Sequence, residues 1–282
     1  MNISIIIPAH NEEKFIEKTL NSLVNQTLKP KQVVIVNDNS TDNTEKIASH
    51  YTTNYNWISL VNIKSSEKHL PGSKVINAFY KGYETVDKNY DVICKFDADI
   101  ILPNNYLEKI NNLFLSDSKI GIAGGLAYIK VNNSWVYENI AKKTHVRGPF
   151  KAYKKQCFMD IKGLKHSIGW DTVDTLLASF YGWKTATDKT LLVKHLKPTG
   201  ISYNKASKYM QGEAMYKMRY GFIITLISAL KMAYKKRSTA LLKDYMFGYF
   251  KAKKNNIEYL VTEDQGTFIR NLRWKGMLNS LK

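Results

Sequence analysis

Apolar and polar residues alternate along the first 130 positions in blocks that read strand, helix, strand, helix. Asn2 to Ile7 holds four Ile in six residues, the continuous apolar run of a buried strand, and Pro8 closes it. Asn11 is expected to cap the next helix, with Glu12 and Glu13 favouring its first turn. Ile16, Leu20, Leu23 and Val24 then recur at helical spacing, so one face of this helix packs on a sheet. Lys29-Pro30 breaks it. Val33 to Val36 is a second apolar strand, and the polar loop Asn37 to Asn43 leads into a short helix. Trp57 to Ile63 reads as a strand. Ser73 to Val86 reads as a helix with Val75, Phe79, Gly82 and Val86 on one side. Val92 to Phe96 is again a strand, and Pro103 to Phe114 a helix with Leu107, Ile110 and Phe114 inward. Ile120 to Val131 is a long strand interrupted by Gly124-Gly125. Such alternation predicts an α/β fold, a mostly parallel sheet flanked by helices with right-handed crossovers.

The pattern changes further on. Gly169 to Asp174 precedes a helix whose Val173, Leu176, Leu177 and Phe180 face one way, and Gly182-Trp183 ends it. Beyond residue 200 Gly becomes sparse, and 204–260 reads as two or three helices. One carries Phe222, Ile223, Leu226, Ile227 and Leu230, with Lys231, Lys235, Lys236 and Arg237 at its end. Another carries Leu241, Leu242, Tyr245, Met246, Tyr249 and Phe250 among Lys243, Lys251, Lys253 and Lys254. These stripes fit a helical cap on the α/β part, or helices lying on an anionic membrane; 204–254 is the segment in question.

Composition adds limits. With 44% hydrophobic and 23% charged residues among 282, the chain is neither disordered nor fibrous. Two cysteines, Cys94 and Cys157, cannot build a disulfide framework or a Cys-rich zinc site, and a reducing compartment is the simpler expectation. No secretory signal opens the chain and no run of 18 apolar residues occurs, so a cytoplasmic protein is expected. The net charge of +18 is unevenly spread: 1–100 carry −1, 101–200 carry +8 and 201–282 carry +11. That asymmetry suggests an anionic partner. Only 5 of the 42 basic residues are Arg, which speaks against a nucleic-acid site.

In an open parallel sheet, ligands bind beyond the carboxyl ends of the strands. Three polar clusters follow strands here: His10-Asn11-Glu12, Asp38 to Asp42, and Asp97-Ala98-Asp99. All three should meet on one sheet edge. The Gly-x-Gly-x-x-Gly of a dinucleotide-binding domain is absent after the first strand. Asp97 and Asp99, flanked by Phe96 and Ile100, end a buried strand, where unpaired carboxylates are costly unless a cation neutralises them. A divalent metal does so, and can bridge to phosphate oxygens.

Ser4-Ile5-Ile6-Ile7-Pro8-Ala9-His10-Asn11-Glu12-Glu13, Val36-Asn37-Asp38-Asn39-Ser40-Thr41-Asp42 and Asp97-Ala98-Asp99 together resemble family 2 of the nucleotide-sugar-dependent glycosyltransferases, which have the GT-A fold. The resemblance covers about residues 1–200. It implies a GT-A domain over 1–200, with a nucleotide-sugar half near 1–100 and an acceptor half near 101–200, and leaves 201–282 as a basic helical extension. It also implies roles. Pro8, His10, Asn11 and Glu12 line the nucleotide pocket, and Asp38, with Ser40 nearby, contacts the base or ribose. Gly72-Ser73-Lys74 and Asn77 match a segment that helps hold the donor. Asp97 and Asp99 match the metal–diphosphate motif, with Asp99 the direct ligand and Asp97 also facing the donor. His195 stands where some members supply a late His near the diphosphate, which would complete the metal shell with Asp97 and Asp99; a structural His is the alternative. Aligning a family Gly on Gly182 puts Asp171 on the catalytic base and Trp170 on the acid before it. The Arg expected near Leu177 is missing. An N-cap role for Asp171, or Asp174 as the base, stays open at this stage.

The implied reaction is transfer of a sugar from a nucleotide-sugar, UDP being the carrier most used in the family, to a hydroxyl of a glycan or lipid-linked acceptor. It is inverting and depends on a divalent metal, Mn2+ or Mg2+. The Gln-x-x-Arg-Trp motif of processive synthases is absent, and Arg273-Trp274 lacks the Gln, so single additions are expected. Peripheral attachment to the inner face of a membrane is a hypothesis resting on 204–254. Two alternatives are a nucleotidyltransferase, which would want a Gly-rich phosphate loop where Ala9-His10-Asn11-Glu12 stands, and a basic nucleic-acid-binding protein, which would leave Asp97, Asp99 and Asp171 unexplained.

Overall fold

The computed structural model describes residues 1–65, 72–197 and 208–279. Pro198 and residues 204–207, the start of the expected helical region, lie outside them. In chain order the elements begin β1 (Ile3–Ala9), α1 (Ile16–Val24), β2 (Gln32–Asp38), α2 (Thr44–Asn54), β3 (Ile58–Ile63), α3 (Ser73–Thr85), β4 (Val92–Phe96), β5 (Ile100–Ile101) and α4 (Tyr106–Ser116). They continue with β6 (Ile120–Val131), β7 (Ser134–Tyr137), β8 (Phe150–Lys154), α5 (Lys155–Asp160), α6 (Trp170–Phe180) and β9 (Lys184–His195). Four helices follow: α7 (Met210–Lys217), α8 (Gly221–Lys235), α9 (Thr239–Lys254) and α10 (Glu263–Asn279).

One sheet runs β3-β2-β1-β4-β8-β6-β9-β5, with β7 on β6. The β3-β2-β1-β4 half is parallel, each strand joined to the next by a helix. β8 then runs antiparallel between β4 and β6. The continuous apolar runs of β1 and β2 follow from burial on both faces. Ile5, Ile7, Val33 and Ile35 enter one apolar layer with Leu20, Leu23 and Phe114. Ile6, Val34 and Val36 enter the opposite layer with Phe79, Tyr153 and Leu177. Ala214, Met218, Ile224 and Ile269 of the C-terminal helices belong to that second layer, so part of this region packs on the sheet. Among the described residues, no helix is long and apolar enough to cross a membrane.

Three local expectations need correction. Pro8 does not end β1, which continues to Ala9. Pairing with β4 stops at Ile6, so Pro8 lies where the strand has only β2 beside it, and a missing N–H is tolerated there. Asn11 caps no helix: α1 begins at Ile16 with Phe15 at its N-cap. Glu12 and Glu13 therefore precede its first turn, and the Glu12 carbonyl accepts from the Phe15 and Ile16 amides. Gly124-Gly125 leaves β6 intact and marks a register shift against β9. A Cβ on Gly124 would meet Val146 Cγ1 at 2.3 Å, and one on Gly125 the Leu191 carbonyl at 2.4 Å, so neighbouring chain approaches too closely for a side chain.

Candidate active site

The carboxyl ends of β1, β2 and β4 bring the three polar clusters together. His10 Nδ1 lies 2.6 Å from the Asp38 carbonyl. Asn11, at a left-handed φ of 54°, donates its amide to Ser40 Oγ at 3.0 Å and accepts from the Thr41 amide at 2.8 Å. The Glu12 amide donates to Thr44 Oγ1 at 2.7 Å. These bonds fold the β1–α1 turn onto the β2–α2 loop. Pro8 is half-buried beside them. Asp38 is buried, and its carboxylate accepts from the Ser65 amide at 3.0 Å and the Ser65 hydroxyl at 2.8 Å. Lys74 and Asn77 stand in the first turns of α3, half-buried and exposed. Neither hydrogen-bonds the other candidates among the described residues. Gly72, ahead of them, has φ 78° and lies against the Ser167 carbonyl, where a Cβ would come within 2.6 Å.

The Asp97-Ala98-Asp99 turn is held from below by α1. Thr19 Oγ1 donates to the Ala98 carbonyl at 2.7 Å and accepts from the Ile100 amide at 3.1 Å. β5 then pairs antiparallel with β9 in the register Ile100↔His195, which carries His195 to Asp99. Ligand atoms of Asp97, Asp99 and His195 all lie within 4.8 Å of one another. Asp97 is ion-paired to the buried Lys95. Lys197 Nζ lies 2.5 Å from Glu12 Oε1 and 3.9 Å from Asp99 Oδ2.

Electrostatics show a site short of positive charge. Burial lifts the Glu12 carboxyl to about 7 against the pull of Lys197, with Asp99 and Asp97 adding to the rise. Its Oε2 is buried with no hydrogen-bond partner among the described residues. Burial and then repulsion from Asp97 raise Asp99, while His195, Lys197 and Lys95 pull it back. Burial alone would lower the His195 imidazole, but Glu138, Asp99 and Asp97 together raise it. Two carboxylates and an imidazole, with a third carboxylate alongside, form a donor set that fits a hard or borderline divalent cation. Behind His195 an ion-pair chain continues: its Nδ1 stands 3.7 Å from Glu138 Oε2, which accepts from Arg147 at 2.9 Å.

Asp171 lies in the first turn of α6, whose N-cap is Gly169 in the left-handed region. The N-cap alternative for Asp171 is thereby excluded. Its side chain is 29% exposed, and His145 Nε2 lies 4.0 Å from Oδ2. Burial opposes its charge, but His145, Lys151 and Arg147 outweigh burial and hold the carboxyl at about 2. A negative charge also suits a helix N-terminus. Asp174, the alternative base, is 1% exposed. Lys151 Nζ contacts both its oxygens at 2.7 and 2.9 Å, and Tyr153 donates to it at 2.5 Å, so it cannot meet a substrate. Trp170, where the family resemblance expects an acid, turns its ring to Lys95, whose Nζ is 5.1 Å from the centroid. Lys95 thus faces both Asp97 and the start of the Asp171 helix.

Sequence reasoning missed Thr19, Lys95, Glu138, His145, Arg147, Lys151 and Lys197. For Lys95 a signal existed: a lone cation inside the apolar run Val92 to Phe96 must have a buried partner. The two thiols are free and buried, and burial raises both.

Comparison with known proteins gives the family and the fold. Residues 4–168 match the family model described as Glycosyl transferase family 2. The chain is 37% identical over 100 residues to the probable glycosyltransferase YdaM of Bacillus subtilis, covering 34% of this chain and 22% of that protein. It is 29% identical over 148 residues to a UDP-N-acetylglucosamine–dolichyl-phosphate N-acetylglucosaminyltransferase of Methanococcus voltae, covering 49% and 55%. The matches therefore span about a fifth to about a half of these relatives' lengths. Among solved structures, S. aureus TarS 1–349 in complex with UDP-GlcNAc superposes with TM-score 0.58 at 20% identity, covering 89% of this chain and 73% of that one. The mannosyltransferase PcManGT from Pyrobaculum calidifontis, in complex with GDP-Man and Mn2+, gives 0.56 at 14% identity, covering 100% and 81%. At these identities the structures show a shared fold, the GT-A type.

Proposed function

The chain belongs to glycosyl transferase family 2, and from that premise we propose that it is an inverting, non-processive glycosyltransferase. It would move a sugar from a nucleotide-sugar, UDP-linked, to a hydroxyl of a glycan or lipid-linked acceptor, with a divalent metal. The observation that carries this reading is one junction. Buried Lys95 pairs with Asp97 of the Asp97–Asp99–His195 cluster, and its Nζ stands 5.1 Å from the ring of Trp170, the residue before Asp171 on α6.

Each residue then has a task. Asp38, His10, Asn11, Glu12, Ser40 and Pro8 shape the nucleotide end, and Lys74 and Asn77 face the donor from α3. Asp97, Asp99 and His195 would hold Mn2+ or Mg2+, which when bound offsets the charge developing on the departing nucleoside diphosphate. Asp171 accepts the proton of the acceptor hydroxyl as that oxygen attacks the anomeric carbon. Its carboxyl, held at about 2, is ionised throughout neutral pH. A single displacement inverts the anomeric centre, so no enzyme nucleophile is required, consistent with two buried thiols. UDP is favoured because TarS 1–349 was captured with UDP-GlcNAc; GDP is the competing carrier, because PcManGT was captured with GDP-Man.

A thermal-shift panel of UDP, GDP, dTDP and CMP, each with and without Mn2+, tests the donor side. The expected result is a Mn2+-dependent rise in Tm with UDP that is lost in Asp99→Ala. No rise with any of the four at saturating nucleotide overturns the reading.

A further inference from the structure

We propose that α8 and α9 form a docking face for an anionic membrane surface. α8 leaves much of its apolar surface outward. Ile224, Thr225 and Ala229 turn inward. Ile223, Leu230 and Tyr234 face out at 58%, 49% and 89% exposure, although Thr225 and Ala229, both smaller, are buried. With Ile227 between them, these residues follow spacings of four, three and four, so they form one stripe along the helix. A helix that only capped the sheet would bury its largest apolar side chains and expose the small ones.

Beside the stripe, the start of α8 meets the end of α9 through a second exposed apolar group. Phe222 and Phe250 bring their rings to 5.8 Å across the helix pair, and both are about half exposed. Phe247, 55% exposed, extends the patch one turn back. The other side of α9, with Tyr245, Gly248 and Tyr249, is buried. A contiguous apolar patch of this kind on a folded domain marks a partner surface.

Charge identifies the partner. Residues 221–254 carry eight Lys+Arg and one acid, Asp244, which faces Lys208 at 3.5 Å. Lys231 and Lys235 flank the α8 stripe, and Lys243, Lys251 and Lys254 share the outer face of α9 with Phe247 and Phe250. Apolar side chains interleaved with lysines match a bilayer interface, where rings and aliphatic chains enter the acyl boundary and ammonium groups meet anionic headgroups. A second copy of the chain fits poorly, because an isologous interface would set these cations against themselves. Vesicle binding is read without turnover, so its failure and failure of the transferase reading are separable.

The test is co-sedimentation of the full chain with phosphatidylcholine vesicles and with vesicles mixing phosphatidylcholine and phosphatidylglycerol, at low and high salt. The expected result is salt-sensitive capture by the anionic vesicles only. Lys231→Gln, Lys235→Gln and Lys251→Gln should lower partitioning about five-fold per lysine removed. Ile223→Asp with Leu230→Asp should abolish capture, and Tyr234→Glu, at the most exposed position, should weaken it with Tm unchanged. Equal capture by both vesicle types, or none, overturns the proposal. So does wild-type capture of the Ile223→Asp/Leu230→Asp variant, or a dimer that this variant dissolves in the absence of any vesicle binding.

Discussion

Lys95 and Lys151 are direct partners in the antiparallel register of β4 and β8, and both are buried. Like charges opposite one another repel, so each must be matched by its own anion. Lys95 meets Asp97 on the donor side, and Lys151 meets Asp174 under α6. Lys151 also donates to the Asp171 carbonyl at 2.5 Å, which ties the start of α6 to the sheet. Removing one member of such a pair strands a buried charge. Lys151→Ala should therefore cost about 3–5 kcal/mol in urea unfolding, and the double variant Lys151→Met/Asp174→Leu should recover most of it. Asp171 supplies a pH-dependent test at the same scale. Its folded carboxyl lies at about 2, below the ordinary 3.8. Its contribution to stability is therefore fully present above about 3.8 and is lost as pH falls through about 2. The stability advantage of the wild type over Asp171→Asn should shrink across that window in acid unfolding. An advantage that stays constant from neutral pH to the lower limit would contradict the cation environment described for Asp171.

Elements position the site through contacts that single runs of sequence do not reveal. Thr19 sits on the buried face of α1 and closes the turn between β4 and β5 with two hydrogen bonds. Thr19→Val keeps the shape and leaves the Ala98 carbonyl and Ile100 amide unpaired, a cost of about 1–3 kcal/mol each. The variant should fold with a lower Tm and bind nucleotide with Mn2+ more weakly, as read by calorimetry; unchanged binding would remove Thr19 from the site's support. The elements that were legible carry their own periodicity: β1, β2, β4 and β6 as apolar runs, α1, α3, α4 and α6 as amphipathic stripes. Those that escaped reading include β7, β8 and β9, besides the short β5 and α5 and the C-terminal α10. β8 contains two lysines in five residues, and β9 alternates only at its end, where Leu191, Val193 and His195 are buried between exposed neighbours. Their strand state comes from pairing with distant segments, which local pattern does not encode.

At the scale of the whole molecule, the acidic sheet edge and the basic C-terminal helices answer to different parts of one architecture. The N-terminal 100 residues carry −1 and gather Glu12, Asp38, Asp97 and Asp99 at strand ends, whereas 201–282 carry +11. Asp97 and Asp99 stand out in the sequence as a carboxylate pair at the end of an apolar run, whereas His195 and Asp171 are named only by the family resemblance. Lys95, Lys151, Glu138 and Arg147 were not nameable, because a charged residue declares its partner only once the sheet is assembled. Lys74 and Asn77 stand on α3 without a described contact to the cluster, so their part in holding the donor rests on the proposal. The central claim is a division of labour: Asp97, Asp99 and His195 serve the donor, and Asp171 serves the acceptor. The most direct measurement pairs Mn2+-dependent UDP binding with nucleoside diphosphate release from the UDP-sugar, for wild type, Asp99→Ala and Asp171→Asn. Asp99→Ala should lose both. Asp171→Asn should bind UDP as the wild type does, yet release product about 10²–10⁴-fold more slowly. Wild-type turnover in Asp171→Asn, or undiminished metal-dependent binding in Asp99→Ala, would contradict that division.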